Sequence, residues 1–479
     1  MKRALSRKNV VYSAPIHLRR TVGKLLAPVP LPWLLGRSFR RQRRFLRAAQ
    51  WWQIELAERH QLALLRKLLT LAYEKTRFYR HAFEAIGFHP KDLHSLETMR
   101  GLPTTNRRTV NENIADMCTK SIFSPDVDEL STGGTDGLPL RFYANASRSA
   151  VEYAYLAASW ERVGCKLGMS MAVLRGGAVR SDQNGLYHEY DPILRRHFYN
   201  SFHMSDENMG RYVEHMATIG PCFLHVYPST ITALARFIRR QDVKVPQNIQ
   251  GIIAESEIVY PEQRKMVEEV FRCRYFSCYG HTEKLVLASE CERSHDYHVW
   301  PTYGYCELLD EAGDPVRTPG QRGEIVGTGF INTVMPFIRY RTGDWATYVG
   351  DRCEACGREH VLLRDIRGHR TQEVLVAADG SEISWTALNM HDDTFMRVRQ
   401  FQFVQEAPGR AVLRVVPGEG YGESDARRIQ RNLGQKLDGQ LTFTIESVEA
   451  IGLTAGGKAI YVDQRIARTP VGREAAETP

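Results

Sequence analysis

Six short stretches of the chain carry residues whose types and spacing suit chemistry. "STGGTDGLPL" sets hydroxyls at Ser131, Thr132 and Thr135 around backbone N–H groups at Gly133 and Gly134, with Gly137 closing the loop, a grouping suited to phosphate oxygens. It lacks the Gly-Lys-Ser/Thr ending of the common P-loop, and Asp136 stands where phosphate would come closest. "YGHTE" follows an apolar run and offers an aromatic face at Tyr279, close backbone at Gly280, a hydroxyl at Thr282 and a carboxylate at Glu283. "YRTGD" presents Asp344 on a turn, able to accept both hydroxyls of a ribose, and "TAGGKAIYV" puts Lys458 on a glycine approach near the chain end. "CEACGRE" holds Cys353 and Cys356 in a C-x-x-C, a spacing that fits a redox pair or half a zinc site, while "ASECERSHDYHVW" supplies Cys291 and His298. Singly, each has a bland reading: a tight turn, a core aromatic, a solvated lysine, two unrelated reduced cysteines. Their order along the chain is what carries weight.

The elements that must position these residues follow from hydrophobic periodicity. Residues 46 to 87 repeat apolar side chains at helical spacing, and from about 95 to 345 short apolar strands alternate with helical stretches, the pattern of a layered α/β domain. "YPEQRKMVEEVF" predicts a helix with Met266, Val267, Val270 and Phe271 on one face, lying between the strands "IQGIIA" and "RYFSCY". The second strand runs directly into "GHTEK", and ligands of open α/β sheets bind at the carboxyl ends of strands. From 371 to 466 the texture is that of a small α+β unit: a hairpin around Asp379-Gly380, two more strands, the helix "ESDARRIQRNLGQKL" and a last strand. Residues 467–479 read as a disordered tail. No internal repeat is evident.

The bulk numbers narrow the partners. The chain has 479 residues, 43% hydrophobic and 25% charged, with a formal net charge of +9. Thirteen Lys and Arg and no acidic residue fall in the first fifty positions, which leaves 51 basic against 55 acidic residues elsewhere. The basicity belongs to an N-terminal arm, residues 1–45, and not to a groove across the fold, so no nucleic-acid partner is expected. The favoured reading of the arm is a solvated segment that packs on the body. Contact with an anionic membrane surface is a second, because "LLAPVPLPWLLG" lies between basic clusters; an organelle presequence is a third. No apolar run is long enough to span a bilayer, and nine scattered cysteines suit a reducing cytoplasm, so a cytoplasmic location is expected.

Taken in order, the motifs resemble the adenylate-forming superfamily of acyl-CoA synthetases, luciferases and adenylation domains. Within it the chain looks most like the phenylacetate-CoA ligase branch and the CapK-type proteins associated with capsular polysaccharide genes. "LLTLAYEKTRFYRHAFEAIGFHPKDLHSLETMRGLPTTNR" is similar to that branch's helical lead-in, and "GIIAESEIVYPEQRKMVEEVF" to the segment before its "YGxTE" motif. The resemblance covers roughly residues 45 to 465. It implies a large multi-layer adenylate-forming domain, residues 46–370, and a small mobile α+β domain, residues 371–466. It also implies an ATP-dependent, AMP-forming ligase in which a carboxylic acid attacks the α-phosphorus, pyrophosphate leaves, and the acyl group passes to a thiol of CoA or a carrier protein. By the same resemblance, the loop from Ser131 to Gly137 holds phosphates, Ser256 and Glu257 line the adenine side, and Tyr279 stacks on the base. Thr282 binds phosphate, Glu283 holds Mg²⁺, Asp344 takes the ribose hydroxyls, and Lys458 bridges the substrate carboxylate and the α-phosphate. Some relatives carry a structural zinc, and Cys291, His298, Cys353 and Cys356 match that pattern, with His295 and Cys306 as substitutes.

The chain departs from its relatives at Asp136 and Leu138 in the glycine loop. His369 replaces an arginine that helps hold ribose, for which Arg364 or Arg367 is the expected substitute, and Thr371 stands at the usual hinge. An aspartate about 4 Å from a phosphate oxygen costs on the order of 4 kcal/mol near a protein surface. These departures spare nucleotide binding and bear on turnover. They keep open a second reading, a non-catalytic nucleotide- or acyl-binding partner in polysaccharide or lipid assembly. The acid itself is expected between "WERVGCKLGMSMAVLRGGAVRS" and "HVYPSTITALARF".

Overall fold

A computed structural model describes residues 23, 25, 26, 28–132, 140–176, 179, 181, 182, 185–368, 373–384, 388, 390, 394, 395, 397–451 and 461–466. The strands, in chain order, are β1 (Val127–Thr132), β2 (Leu140–Asn145), β3 (Ser170–Leu174), β4 (His188–Asp191), β5 (Arg196–Tyr199), β6 (Cys222–Val226) and β7 (Ile249–Glu255). There follow β8 (Tyr275–Gly280), β9 (Leu287–Ser289), β10 (Tyr297–Val299), β11 (Gly304–Leu309), β12 (Arg322–Gly329), β13 (Tyr340–Gly350) and β14 (Leu362–Arg367). The remaining strands are β15 (Val374–Val376), β16 (Glu382–Ser384), β17 (Val398–Ala407), β18 (Arg410–Pro417), β19 (Thr442–Ser447) and β20 (Val462–Gln464).

Twelve of these strands form one mixed sheet in the order β11-β12-β13-β14-β10-β9-β8-β7-β6-β3-β5-β4. Its middle is parallel: β3 pairs with β6, β6 with β7, and β7 with β8. Parallel neighbours need crossovers, and the helices Asp206–Thr218, Pro228–Arg240 and Pro261–Phe271 supply them. Burial on both faces explains why β6 and β7 read as nearly continuous apolar runs, with Leu224, Val226, Ile252, Ile253 and Ala254 all buried. On the helix Pro261–Phe271, Val267 and Phe271 are buried while Met266 and Val270 pack against the same core, the face expected from periodicity.

The lead-in helices Ile54–Lys75 and Arg77–Glu84 bury Leu65, Leu69, Tyr79 and Phe83 in a core shared with β2, β12 and β13. The helix Gly36–Ala49 runs through the expected limit of the basic arm at residue 45, and Phe39, Leu46 and Ala49 are buried. Phe39 and Leu46 share a core with Tyr155 and Trp300, and Arg43 pairs with Glu161 at 2.5 Å. The C-terminal unit is a four-stranded sheet in the order β19-β18-β17-β20, covered by the helix Glu423–Leu437 through Ile429, Leu433 and Leu437. Its β15–β16 hairpin turns at Gly380, whose φ of +82° favours glycine. The whole is a mixed α/β fold, a large multi-strand domain followed by a smaller C-terminal one. No helix among the described residues is long and apolar enough to cross a membrane.

Candidate active site and metal cluster

The carboxyl ends of four parallel strands open onto one cavity of about 510 Å³, within the range of roughly 300–1,000 Å³ common for small-molecule sites. Just past β3 lies Arg175, past β6 Tyr227, past β7 Ser256 and Glu257, and at the end of β8 Tyr279, Gly280, His281, Thr282 and Glu283. From the other side β13 contributes Tyr340, Thr342 and Asp344, and Thr132 reaches in from the last position of β1. Of the residues expected to hold nucleotide and metal, Thr132, Ser256, Glu257, Tyr279, Gly280, Thr282, Glu283 and Asp344 therefore meet in one place. Ser131, one position earlier on β1 and so facing the other way, is not among the lining residues. Neither is Arg364, the expected ribose substitute: its guanidinium is engaged by both oxygens of Asp296, at 2.7 and 3.1 Å. Gly133, Gly134, Thr135, Asp136, Gly137, Leu138, His369, Thr371, Lys458 and the tail 467–479 lie outside the described residues.

The cavity floor is a network the motifs did not reveal. Arg175 donates to Glu255 at 2.9 Å and to the Ser256 hydroxyl at 2.9 Å, and its Nη1 lies 2.5 Å from His225 Nε2. Trp160 Nε1 donates to the other Glu255 oxygen at 2.9 Å. Burial opposes ionisation of Glu255, yet Arg175 and His225 hold its carboxyl well below the usual range. Burial, aided by Arg175, drives His225 down to about 4, so the imidazole is neutral at neutral pH. No motif announces this trio because its members end three different apolar strands, and only the parallel pairing sets them side by side. Along the rim, Lys284 pairs with Glu152 at 2.5 Å. The seat of the small unit touches the cavity too: Glu257 accepts from Ser229 N–H, the Ser229 hydroxyl and Ser384 of β16. Burial outweighs those donors and raises the Glu257 carboxyl.

Two features mark this cavity as built for something beyond its own packing. Ser256 and Lys284 both adopt left-handed backbone, φ +73° and +64°, a conformation that costs energy in non-glycine residues and collects at functional sites. The buried Thr132 hydroxyl and both ring nitrogens of His281 find no hydrogen-bond partner among the described residues, although buried polar groups ordinarily have one. Burial lowers His281, leaving a neutral ring with one donor and one acceptor turned to the site. Tyr279 donates its phenol to Asp344 at 2.8 Å, and burial together with that carboxylate raises the phenol well above its ordinary value. The Glu283 carboxylate and the Thr132 and Thr282 hydroxyls are hard oxygen donors, the set Mg²⁺ accepts.

A second cluster sits on the same sheet, beside β9, β10 and β14. Ligand atoms of Cys291, His298, Cys353 and Cys356 lie within 4.8 Å of one another, with Cys356 Sγ 3.4 Å from His298 Nε2. His298 Nδ1 donates to the Asp296 carbonyl at 2.9 Å, the outer contact that orients a ligating imidazole. Cys291 Sγ accepts N–H groups from Arg293 and Ser294 at 3.4 and 3.2 Å. Burial resists ionisation, but hydrogen bonds from His298 and the Arg358 backbone pull the Cys356 thiol down to about 6. The substitutes are not needed: His295 Nδ1 faces Arg264 and Glu290, and Cys306 lies on β11. Three thiolates and one imidazole in a closed set suit a structural zinc.

No family model matches the chain. It is 21% identical over 401 residues to Protein CapK of Staphylococcus aureus, covering 82% of this chain and 86% of the relative. It is 25% identical over 321 residues to a phenylacetate-coenzyme A ligase of Thermus thermophilus, covering 65% and 70%. A phenylacetate-coenzyme A ligase of Pseudomonas putida is 26% identical over 303 residues, covering 61% and 66%. In fold, the chain is similar to 2-hydroxyisobutyryl-CoA ligase in an open conformation with 2-HIB-AMP and CoA. That match has a TM-score of 0.55 at 20% identity and covers 86% of this chain and 93% of the other. The same ligase in its postadenylation state with 2-HIB-AMP also superposes with a TM-score of 0.55 at 21% identity, covering 86% and 90%. The chain is thus similar in sequence to phenylacetate-coenzyme A ligases and to Protein CapK, and it shares the fold of an acyl-CoA ligase.

Proposed function

We propose that this protein is an ATP-dependent, AMP-forming ligase that activates a small carboxylic acid as its acyl-adenylate and transfers the acyl group to the thiol of CoA or a carrier protein. The observation that carries the reading is the convergence of Thr132, Ser256, Tyr279, Thr282, Glu283 and Asp344 on one cavity at the ends of four parallel strands. The base lies against Tyr279, and the Tyr279–Asp344 pair presents a carboxylate to the ribose. The unpartnered Thr132 hydroxyl and that of Thr282 donate to the phosphate oxygens. Lys458 neutralises charge between the attacking carboxylate and the α-phosphate, where positioning and electrostatics supply most of the acceleration. The acid sits toward Arg175 and Tyr227, which lie on the two stretches expected to bound it, with His281 on the same cavity. Mg²⁺ would be held by Glu283 and would offset phosphate charge; Zn²⁺ would be held by Cys291, His298, Cys353 and Cys356 in a purely structural role.

The small unit, residues 371–466, moves between the two half-reactions and in doing so exchanges its contacts at Ser384. A capsular-polysaccharide role rests on similarity to CapK, and peripheral membrane contact on the exposed Trp33 and Leu25 among basic residues near the N-terminus. Pyrophosphate exchange into ATP, measured across a panel of small carboxylic acids, tests the catalytic reading. Exchange that depends on an added acid is the expected result. Silence toward every acid, with ATP still bound, would replace the enzyme by the non-catalytic binder.

A further inference from the structure

The outermost strands of the large sheet carry a cluster of histidines that the ligase chemistry does not use. β4 and β5 pair antiparallel with His188 opposite Tyr199 and Tyr190 opposite His197. Side chains alternate along a strand, so these two histidines and two tyrosines share one face. The helix Asp206–Thr218 lays His215, in its last turn, over that face. Ring centroids of His188 and His215 are 4.1 Å apart, and those of His188 and His197 5.3 Å. One ligand atom from each of the three histidines lies within 4.8 Å of the others, and His188 Nε2 is 3.1 Å from His197 Nδ1. Nitrogens bound to a common tetrahedral ion at ordinary bond lengths lie about 3.3 Å apart, close to the spacing already present.

The surroundings favour the ligand form of these rings. Burial, with His215 nearby, lowers His197 to about 4. Burial also lowers His215, Asp182 pulling the other way. Tyr199 places its phenol oxygen 2.7 Å from His215 Nδ1. An Nδ1–H donating there fixes the tautomer and leaves Nε2 with a lone pair, the outer-contact arrangement of metal-bound histidine.

We propose that His188, His197 and His215 form a second metal site, for a divalent transition-metal ion of the zinc, nickel or cobalt class, with Tyr199 as the positioning residue of His215. An all-imidazole set disfavours Mg²⁺ and Ca²⁺, which demand oxygen, and three protein ligands leave a fourth position open. The ion staples the edge hairpin to the helix. That hairpin runs straight on into Phe202 and His203. Phe202 packs in the core of the small unit, while His203 lies 2.7 Å from the Gln440 side-chain amide and 3.6 Å from Asp438. Metal binding here therefore stiffens part of the seat on which the small unit rests. The inference does not depend on which acid is activated.

Cobalt distinguishes this site from the cysteine cluster, since thiolate ligands give intense charge-transfer absorption and imidazole nitrogens do not. The experiment titrates Co²⁺ into the untagged full chain, stripped with chelator, and into His215→Phe, His197→Asn and Tyr199→Phe. The expected result is one equivalent bound with visible ligand-field bands and no charge transfer, in addition to the thiolate-bound equivalent that the emptied cysteine cluster takes up. The imidazole-bound equivalent is lost in both histidine variants and binds about tenfold to a hundredfold more weakly in Tyr199→Phe. Each variant is compared with the wild type in chelator for its unfolding midpoint; a variant that fails to fold is set aside and the other two decide. Absorption arising only from thiolate-bound cobalt, or an imidazole signal unchanged in the folded variants, would overturn the assignment.

Discussion

The cysteine cluster and the cavity lie on one sheet, a few strands apart, and treat their polar atoms in opposite ways. At the cluster the ligand side chains are held by their neighbours. His298 is oriented by a backbone carbonyl, Cys291 takes two N–H groups, and neighbouring Arg358 closes on both oxygens of Glu292 at 2.6 and 2.7 Å. At the cavity Thr132 and His281 are left short of partners among the described residues, and two non-glycine residues hold left-handed backbone. A closed, satisfied shell holds chain segments together. An unsatisfied and strained one waits for a ligand. The contrast assigns stability to the first region and turnover to the second, and substitutions can separate the two.

The widest separation is expected at the cluster. Cys356→Ser should release about one zinc per chain and lower unfolding free energy on the order of 5 kcal/mol, a fraction of what such sites release on binding metal. Metal analysis with urea unfolding reads both quantities, and a zinc-free chain that unfolds at the wild-type midpoint would erase the contrast. At the other region, Lys458→Ala should cut adenylation on the order of 10³-fold, about 4 kcal/mol, while leaving the unfolding midpoint alone. Thioester formation from supplied acyl-adenylate should survive in that variant. Equal loss of both half-reactions would remove Lys458 from its assigned step.

What could be read in advance divides along physical lines. Tyr279 to Glu283 and Asp344 are legible because each motif is contiguous, the first where β8 ends and the second within β13. The Cys₃His set is legible only through the resemblance, because a C-x-x-C spacing alone fits a redox pair as well as half a zinc site. Arg175, His225 and Glu255 are not, since each looks like the polar end of an unrelated apolar strand and only parallel pairing joins them. His188, His197 and His215 are hidden for a similar reason: a strand register and a helix turn, neither visible as a motif, bring them together. The pairing of Arg364 with Asp296 is not legible, because nearness in sequence to the replaced arginine says nothing about which groups lie beside it on β14. The anchoring of the helix Gly36–Ala49 is hard to read in advance, because Phe39 and Leu46 are apolar points in a basic helix and the charges dominate the reading.

The hidden network makes a pH-dependent prediction that sharpens the comparison. His225 is neutral in the folded chain down to about pH 4, whereas an unfolded histidine takes its proton near 6.5. The unfolded chain therefore binds more protons between those values, so stability falls as pH drops from about 6.5 toward 4. His225→Gln removes that one contribution, which amounts to about 2 kcal/mol at pH 5. Urea unfolding at pH 7 and pH 5 should show a smaller drop in the variant than in the wild type. Other buried histidines such as His360 contribute with the same sign, so the wild-type slope is not abolished. Identical drops in the two chains would mean that His225 is charged in the folded state and that the cavity floor is wired differently.

The smallest expected effect falls on the Tyr279–Asp344 pair, and it asks which side of the contrast a satisfied hydrogen bond inside the cavity belongs to. Tyr279→Phe keeps the ring that would lie against the base and deletes only the phenol that donates to Asp344 at 2.8 Å. Asp344 retains other interactions, so the fold should lose little. What it loses is the orientation of the carboxylate toward the ribose, worth about 1 kcal/mol, or roughly a fivefold rise in KM for ATP at nearly constant kcat. Asp344→Asn should give a rise in the same parameter, and the double variant should fall short of the sum, because the two residues act through one contact. Steady-state kinetics in ATP, with the unfolding midpoint measured alongside, reads the cycle. If the midpoint falls while KM holds, the pair braces the sheet as the cysteine cluster does, and the ribose contact has to be sought on another carboxylate of the same cavity.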